Sequence, residues 1–214
     1  MKDFEKENYA AYYTEDIALK LPGYFLMFDL IFKGVLPVEA QKKVDNILLV
    51  GGGEIESGML LKQYPTASYT FVDPSKEMLE RVKRSLPKNE RLIYKNQAFE
   101  EYQTEQCFQL VLSLLVIHFI EDKEAFLYKL YRLLDHKGIC IVSAFSNQHL
   151  EWWKEYAIKN GANKEEVMRT FLNQEEVMQS VTPRKIEEFA SSAGFVKVEK
   201  IAQILSIDLW LLKK

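Results

Sequence analysis

The sequence predicts an α/β fold: a doubly wound, mostly parallel sheet, with an antiparallel C-terminal strand and a helical segment ahead of it. Three observations predict it. Between residues 45 and 145, short apolar runs alternate with amphipathic stretches. The first run, Asn46-Ile-Leu-Leu-Val-Gly-Gly-Gly-Glu-Ile55, ends in glycines, and the second, Tyr69-Thr-Phe-Val-Asp-Pro74, ends in an aspartate 22 residues after Gly51. The last two apolar runs are separated only by residues 201–206, whereas a parallel crossover needs about a dozen residues or more.

Residues 3–20 predict a tyrosine-rich helix broken by Pro22-Gly23, and a second, very apolar helix runs from Tyr24 to Val35 and stops before Pro37. We read residues 1–36 as a helical lid and residues 37–214 as the main domain. Strands follow at Ile47–Val50, Ser68–Val72, Leu92–Lys95 and Gln109–Leu115, the last apolar nearly throughout and so buried on both faces. Helices intervene at Ile55–Gln63 and at Lys76–Leu86, where Pro87 ends the pattern. Glu121–Asp135 is amphipathic, and Gly138–Phe145 reads as a fifth strand. A helical insertion covers roughly 148–180. Thr182-Pro183 caps a helix over 184–192 that Gly194 ends. Phe195–Lys200 and Ile207–Lys213 close the chain as antiparallel strands.

The glycines after the first strand let the backbone turn tightly beside a ligand, and an acid closing the next strand can accept hydrogen bonds from ribose hydroxyls. Gly51, Gly52, Gly53 and Asp73 therefore predict a nucleoside site. Nearly half the chain is apolar (48%) and 28% is charged, the balance of a globular protein with a substantial core. A net charge of −3 implies no broad basic face for nucleic acid. Cys107 and Cys140 lack metal-ligand or CxxC spacing, so no metal is expected, and both read as core thiols of a reduced, cytoplasmic protein. The longest apolar run, Leu110–Ile120, is too short to span a bilayer, so no membrane is implied.

Five segments, in order, resemble the motifs of the class I S-adenosylmethionine-dependent methyltransferases: Ile47-Leu-Leu-Val-Gly-Gly-Gly53, Phe71-Val-Asp-Pro-Ser-Lys-Glu-Met-Leu79, Asn96-Gln-Ala-Phe-Glu100, Phe108–Phe119 and Tyr131-Arg-Leu-Leu-Asp-His-Lys-Gly-Ile-Cys-Ile-Val142. The resemblance implies a Rossmann-like methyltransferase fold and S-adenosyl-L-methionine as cofactor. It places the ribose acid at Asp73 beside Pro74, adenine packing at Met78, adenine contacts at Gln97 and Ala98, and a further cofactor contact at Leu114. Leu21-Pro-Gly-Tyr24 and Glu176-Val-Met178 resemble the carboxy-S-adenosylmethionine synthases and their tRNA wobble-uridine methyltransferase-like relatives, which implies a cofactor contact for Tyr24. The arginine that holds the carboxyl donor in the synthases falls near Phe171, with Arg169 out of register, which favours methyl transfer.

The sequence departs from the pattern at Leu49, Gln97 and Gln109, where acids are usual, and at Ile55, where a third glycine is usual. Gln97 still offers an amide oxygen, but Leu49 cannot orient an ammonium or a water. His118, after the fourth strand, is a candidate general base, with a supporting role behind the site or a helix-capping role as the alternative. Trp152 and Tyr156 share one helix face and are candidates for a substrate wall or for core packing, whereas Tyr9, Tyr12 and Tyr13 read as packing or surface residues. A small-molecule acceptor is the first expectation. A tRNA base is the second, with Lys159, Lys164 and Arg184 as the nearby cations, and a non-catalytic cofactor-binding module or a dinucleotide dehydrogenase are further readings. Monomer and dimer are both compatible with the sequence.

Overall fold

The computed structural model describes residues 9–40, 43–173 and 181–214, with side chains from Thr14 onward. The start of the predicted first helix, the side chains of Tyr9, Tyr12 and Tyr13, and Glu176-Val-Met178 lie outside the described residues.

Helix α1 spans Tyr9–Lys20, and the turn at Pro22-Gly23 leads into α2, Tyr24–Asp29. The predicted stop before Pro37 is not observed. The chain continues through a π-helical turn, Leu30–Val35, into α3, Leu36–Glu39. Pro37 sits in the first turn of α3.

Among the described residues, seven strands form one sheet: β1 Asn46–Val50, β2 Ser68–Asp73, β3 Leu92–Asn96, β4 Phe108–Leu114, β5 Leu134–Phe145, β6 Lys197–Ile204 and β7 Ile207–Lys213, in the order β3-β2-β1-β4-β5-β7-β6. The pairs among β1 to β5 are parallel, and β7 runs antiparallel to both β5 and β6. The antiparallel return is thus as expected, but the connection is shorter: β6 extends to Ile204, and Leu205-Ser206 alone make the turn, with Leu205 at φ 53°. β5 begins at Leu134, where the sequence suggested helix to Asp135. Phe108 pairs with Leu134 and Leu110 with Ile139, so the intervening residues bulge from the ladder.

Helices α4 (Glu54–Gln63) and α5 (Lys76–Ser85) follow β1 and β2, and α6 (Lys123–Leu133) precedes β5. Among the described residues, the predicted insertion holds α7 (Leu150–Lys159) and α8 (Lys164–Leu172), separated at Gly161, and the next described helix, α9, spans Pro183–Ala193. The starts are chemically set: Ser75, Asp122, Asn163 and Thr182 each accept a backbone N–H of the first turn of α5, α6, α8 and α9.

The sheet is buried on both faces. Met27, Phe28, Ile31, Leu60, Val82 and Trp153 pack on one face against Ile47, Leu49, Phe71 and Ile141. Phe126, Leu130, Ile186 and Ala190 pack on the other, against Leu48, Val111, Val142 and Trp210. Two-sided burial is why the central strands read as uninterrupted apolar runs. Cys140 is a core thiol as expected, but Cys107 is exposed, because it precedes β4 and lies outside the ladder. Among the described residues no single helix is long and apolar enough to cross a membrane; Thr14–Lys20 with Tyr24–Glu39 passes on length and composition only as a pair bent by 102°.

Candidate active site

The ends of β1, β2 and β4 lie side by side at the carboxyl edge of the sheet, where open α/β folds hold their ligands. Gly51 leaves β1 at φ 67°, a region where side chains are disfavoured, and donates its N–H to the Val72 carbonyl at 2.9 Å. A Cβ on Gly51 would stand 2.4 Å from the Val116 side chain, so its bareness also admits the segment after β4. Gly52 is packed in the same way over Leu49, with a built Cβ 2.9 Å from that side chain. Two of the three glycines are therefore set by the protein's own packing as well as by any ligand.

Gly53 caps α4, and its N–H is held by the Glu56 carboxylate. Asp73 ends β2, half-buried, and its Oδ1 accepts the Ser75 N–H at 2.7 Å. Burial pushes its carboxyl up to about 6, against the opposing pull of the Ser75 bond. Asn96, a residue sequence reasoning passed over, ties β3 to this corner by donating to the carbonyls of Asp73 and Pro74 at 3.1 and 2.9 Å. Met78 is buried in the first turn of α5, while Gln97 and Ala98 are half-buried just beyond β3. These residues surround one corner, formed by the ends of β1, β2 and β3.

The Tyr24 ring is buried, edge-on to Phe25 and Phe28 at 5.4 and 5.1 Å between centroids. Burial raises its phenol pKa first, Glu56 and then Glu54 add to that, and Arg81 opposes it. Arg81 donates to Glu54 at 2.7 Å and to Thr14 of α1 at 3.0 Å.

Leu114 ends β4, and Leu115 follows at φ 58° with its N–H held by Ser143 Oγ at 2.9 Å. A left-handed leucine at a strand end is a strained position fixed by its neighbours. His118 does not have the setting of a general base. It is buried, its Nδ1 accepts the Phe145 N–H at 3.2 Å, and burial, aided by Lys123, pushes it down to about 3. It acts as a neutral acceptor joining the segment after β4 to the end of β5.

Of the two readings of the α7 face, core packing does not hold for Trp152. Trp152 is exposed and stacked on His149 at 4.7 Å, while Trp153 enters the core, edge-on to Phe145 at 5.0 Å with its indole N–H on the Lys20 carbonyl. Tyr156 is half-buried. Gln109, where an acid is usual, stitches the sheet: its Oε1 accepts the N–H groups of Asp45 and Asn46, and its Nε2 donates to Asp135. A surface depression of about 530 Å³, lined by Glu100, Glu121, Asp122, Lys123, Glu124 and Phe189, includes none of the predicted nucleoside residues.

Residues 50–140 match the family described as "Methyltransferase domain". The fold is the Rossmann-like methyltransferase fold. The methyltransferase fold recurs over 94% of the chain in a Haemonchus contortus phosphoethanolamine N-methyltransferase solved with S-adenosyl-L-methionine, at TM-score 0.65 and 19% identity, covering 46% of that chain. It recurs over the whole chain, and 98% of the matched one, in the complex of the Haloferax volcanii Trm112 methyltransferase activator with a methyltransferase, at TM-score 0.70 and 13% identity. A malonyl-[acyl-carrier protein] O-methyltransferase of Ilyobacter polytropus is 33% identical over 112 residues, which is 52% of this methyltransferase-fold chain and 42% of the relative. The chain thus spans under half the length of the curated relatives it matches.

Proposed function

We propose that the chain is an S-adenosyl-L-methionine-dependent methyltransferase acting on a small acceptor. The observation that carries the reading is Asp73: a half-buried carboxylate at the end of β2, holding one backbone N–H and standing beside the left-handed turn at Gly51. A ribose diol offers two donors to such an acid, and a carboxylate has acceptor capacity beyond the single Ser75 bond. The residues present therefore fit an adenosyl group. A solved neighbour in complex with S-adenosyl-L-methionine supports the same cofactor.

Bound S-adenosylmethionine supplies a methyl group already activated on a sulfonium, so transfer is an in-line displacement. The chain's own residues bind, orient and exclude water. In this reading Asp73 holds the ribose, Met78 packs on the adenine, Gln97 and Ala98 meet its edge, and Leu114 forms the floor. Tyr24 and Phe28 shield the site from solvent. With His118 neutral and engaged, the acceptor is one that brings its own ionised oxygen, such as a carboxylate. The malonyl substrate in the relatives' names supports that choice, and so does the apolar surround. The finer likeness to the carboxy-S-adenosylmethionine synthase group rests on Leu21-Pro-Gly-Tyr24 and on Glu176-Val-Met178, the second outside the described residues, and Phe171 speaks against carboxyl transfer.

The test is calorimetric titration with S-adenosylmethionine and with NAD, followed by transfer of labelled methyl to malonyl thioesters and to amines. Binding of the first cofactor alone, with label on the carboxylate, is the expected result. NAD binding would make the chain a dehydrogenase-type module. Transfer only to amines would overturn the carboxylate acceptor.

A further inference from the structure

Arg81, on α5, joins two helices that no other bond described above brings together. Its side chain is 15% exposed. Nε donates to Glu54 Oε2 at 2.7 Å, Nη2 reaches the same oxygen at 2.7 Å, and Nη2 also donates to Thr14 Oγ1 at 3.0 Å. Glu54 is the first residue of α4, next to Gly53 of the glycine turn, and Thr14 lies on α1. Nη1 is buried without an acceptor among the described residues, so the guanidinium sits in a largely dry place for the sake of these two partners. The other described ties of α1 lie further along it. Ile17 and Ala18 pack on the core, Asn160 holds the Leu19 carbonyl, Trp153 holds the Lys20 carbonyl, and Lys20 meets Glu166. Thr14 stands roughly 9 Å up the helix from Lys20, at about 1.5 Å per residue. The end of α1 is thus fixed to α7 and α8, and its middle is tied through Arg81 to the start of α4. A guanidinium is a rigid fork, so the direction of Nη2 follows from where Glu54 holds Nε. Hydrogen bonds weaken steeply when misaligned, so a shift of Glu54 costs the bond to Thr14. The two contacts therefore favour each other.

Resting on the adenosyl reading above, we propose that Arg81 is a positioning residue that couples α1 to the glycine turn, so that a nucleoside ligand ordering the turn also fastens α1. Arg81 itself touches no ligand in this proposal. Coupling of this kind is reciprocal: α1, once fastened, tightens the ligand by the same free energy. The alternative is a static brace, which protects α1 equally with and without ligand.

The experiment measures amide hydrogen exchange across α1 in the full chain, with and without S-adenosylhomocysteine, and the ligand's affinity by calorimetry. Two variants break the tie from opposite ends. Thr14→Val removes the acceptor and leaves Arg81 and Glu54 in place, and Arg81→Lys keeps the charge but not the fork. Circular dichroism confirms the fold, and if Arg81→Lys does not fold, Thr14→Val carries the test alone. The ligand should slow exchange in wild-type α1 about fivefold or more, and less than about twofold in either variant, with affinity weakened by a comparable factor. The same ligand-dependent slowing in variant and wild type would make Arg81 a static brace. So would a wild-type α1 indifferent to bound ligand. Both results would overturn the coupling and leave the adenosyl reading intact. A wild-type chain that does not bind S-adenosylhomocysteine would overturn the adenosyl reading, and the coupling with it.

Discussion

Asp73 keeps its proton more tightly in the folded chain than a free carboxylate does, because burial removes water and only Ser75 donates to it. Its folded pKa is raised from 3.8 to about 6. The sign follows: the folded state binds more proton between those values, so this group's contribution to stability is full below 3.8 and is lost as pH rises through about 6. Ligand binding runs the other way. Ribose hydroxyls bond best to the ionised acid, so affinity for S-adenosylhomocysteine should fall as pH drops below about 6. Glu56 shifts in the same direction, so Asp73→Asn, which cannot titrate, isolates the effect: calorimetry across pH should give a flatter profile for the variant. An unchanged profile would place the titration elsewhere. Gly51→Ala tests the turn itself. The new methyl would stand 2.4 Å from Val116 on a backbone at φ 67°, a strain of roughly 1–3 kcal/mol. A lowered melting temperature together with weaker cofactor binding is expected, and wild-type melting would show that the segment after β4 yields freely.

At the scale of elements, the N-terminal helices divide into two roles. Tyr24, Met27, Phe28, Ile31 and Phe32 are buried in the sheet's own core, so α2 with its π-helical continuation is part of the fold. α1 is held by edges: Thr14 on Arg81, the Leu19 carbonyl on Asn160, and the Lys20 carbonyl on Trp153 at 2.9 Å. Deleting residues 1–20 should therefore leave a folded sheet that melts lower, with the Trp153 indole unpaired at a cost of about 1–3 kcal/mol, and with turnover lost. Circular dichroism and a methyl-transfer assay check the two halves, and full turnover after deletion would show α1 dispensable. What was legible in the sequence follows the same physics. The central strands β1 and β4 announced themselves because burial on both faces leaves them nearly uninterrupted apolar runs, whereas β3, at the sheet's edge, is largely exposed and was legible from its place in the βα alternation. The hairpin turn was not, because Leu205-Ser206 carries none of the glycine or asparagine that usually marks a two-residue loop. The helix past Pro37 was missed because a proline signals a start as readily as a stop. Asp73 was found by its spacing from the glycines. Glu56 was passed over because a glutamate in a first helical turn reads as an ordinary cap, and only the fold shows that it is buried. Trp152 and Trp153 are adjacent, and tertiary packing alone decides which faces inward.

At the scale of the molecule, one sheet with a core on each face leaves its carboxyl edge as the place where function gathers, and the charge distribution bears on which acceptors can approach it. The net charge is −3. The cations that would have to make an RNA surface are spread over separate helices, Lys159 on α7, Lys164 on α8 and Arg184 on α9, and Arg184 bonds to Glu188 at 3.2 Å. Other basic side chains face acids as well: Lys20 meets Asp16 and Glu166, Lys197 meets Glu199, and Lys213 meets Glu39. RNA affinity comes mainly from replacing phosphate counterions with lysine and arginine, and a cation already paired to a carboxylate releases few of them. Association with bulk tRNA should therefore be no tighter than the nonspecific range, about 1–100 μM at physiological salt. Fluorescence anisotropy at about 50 and about 200 mM salt checks it. A submicromolar complex whose affinity falls steeply with salt would mean that a basic surface forms on RNA contact, and would move the acceptor from a small carboxylate to a nucleic acid. A weak, salt-indifferent signal would support the small acceptor proposed above over a nucleic acid.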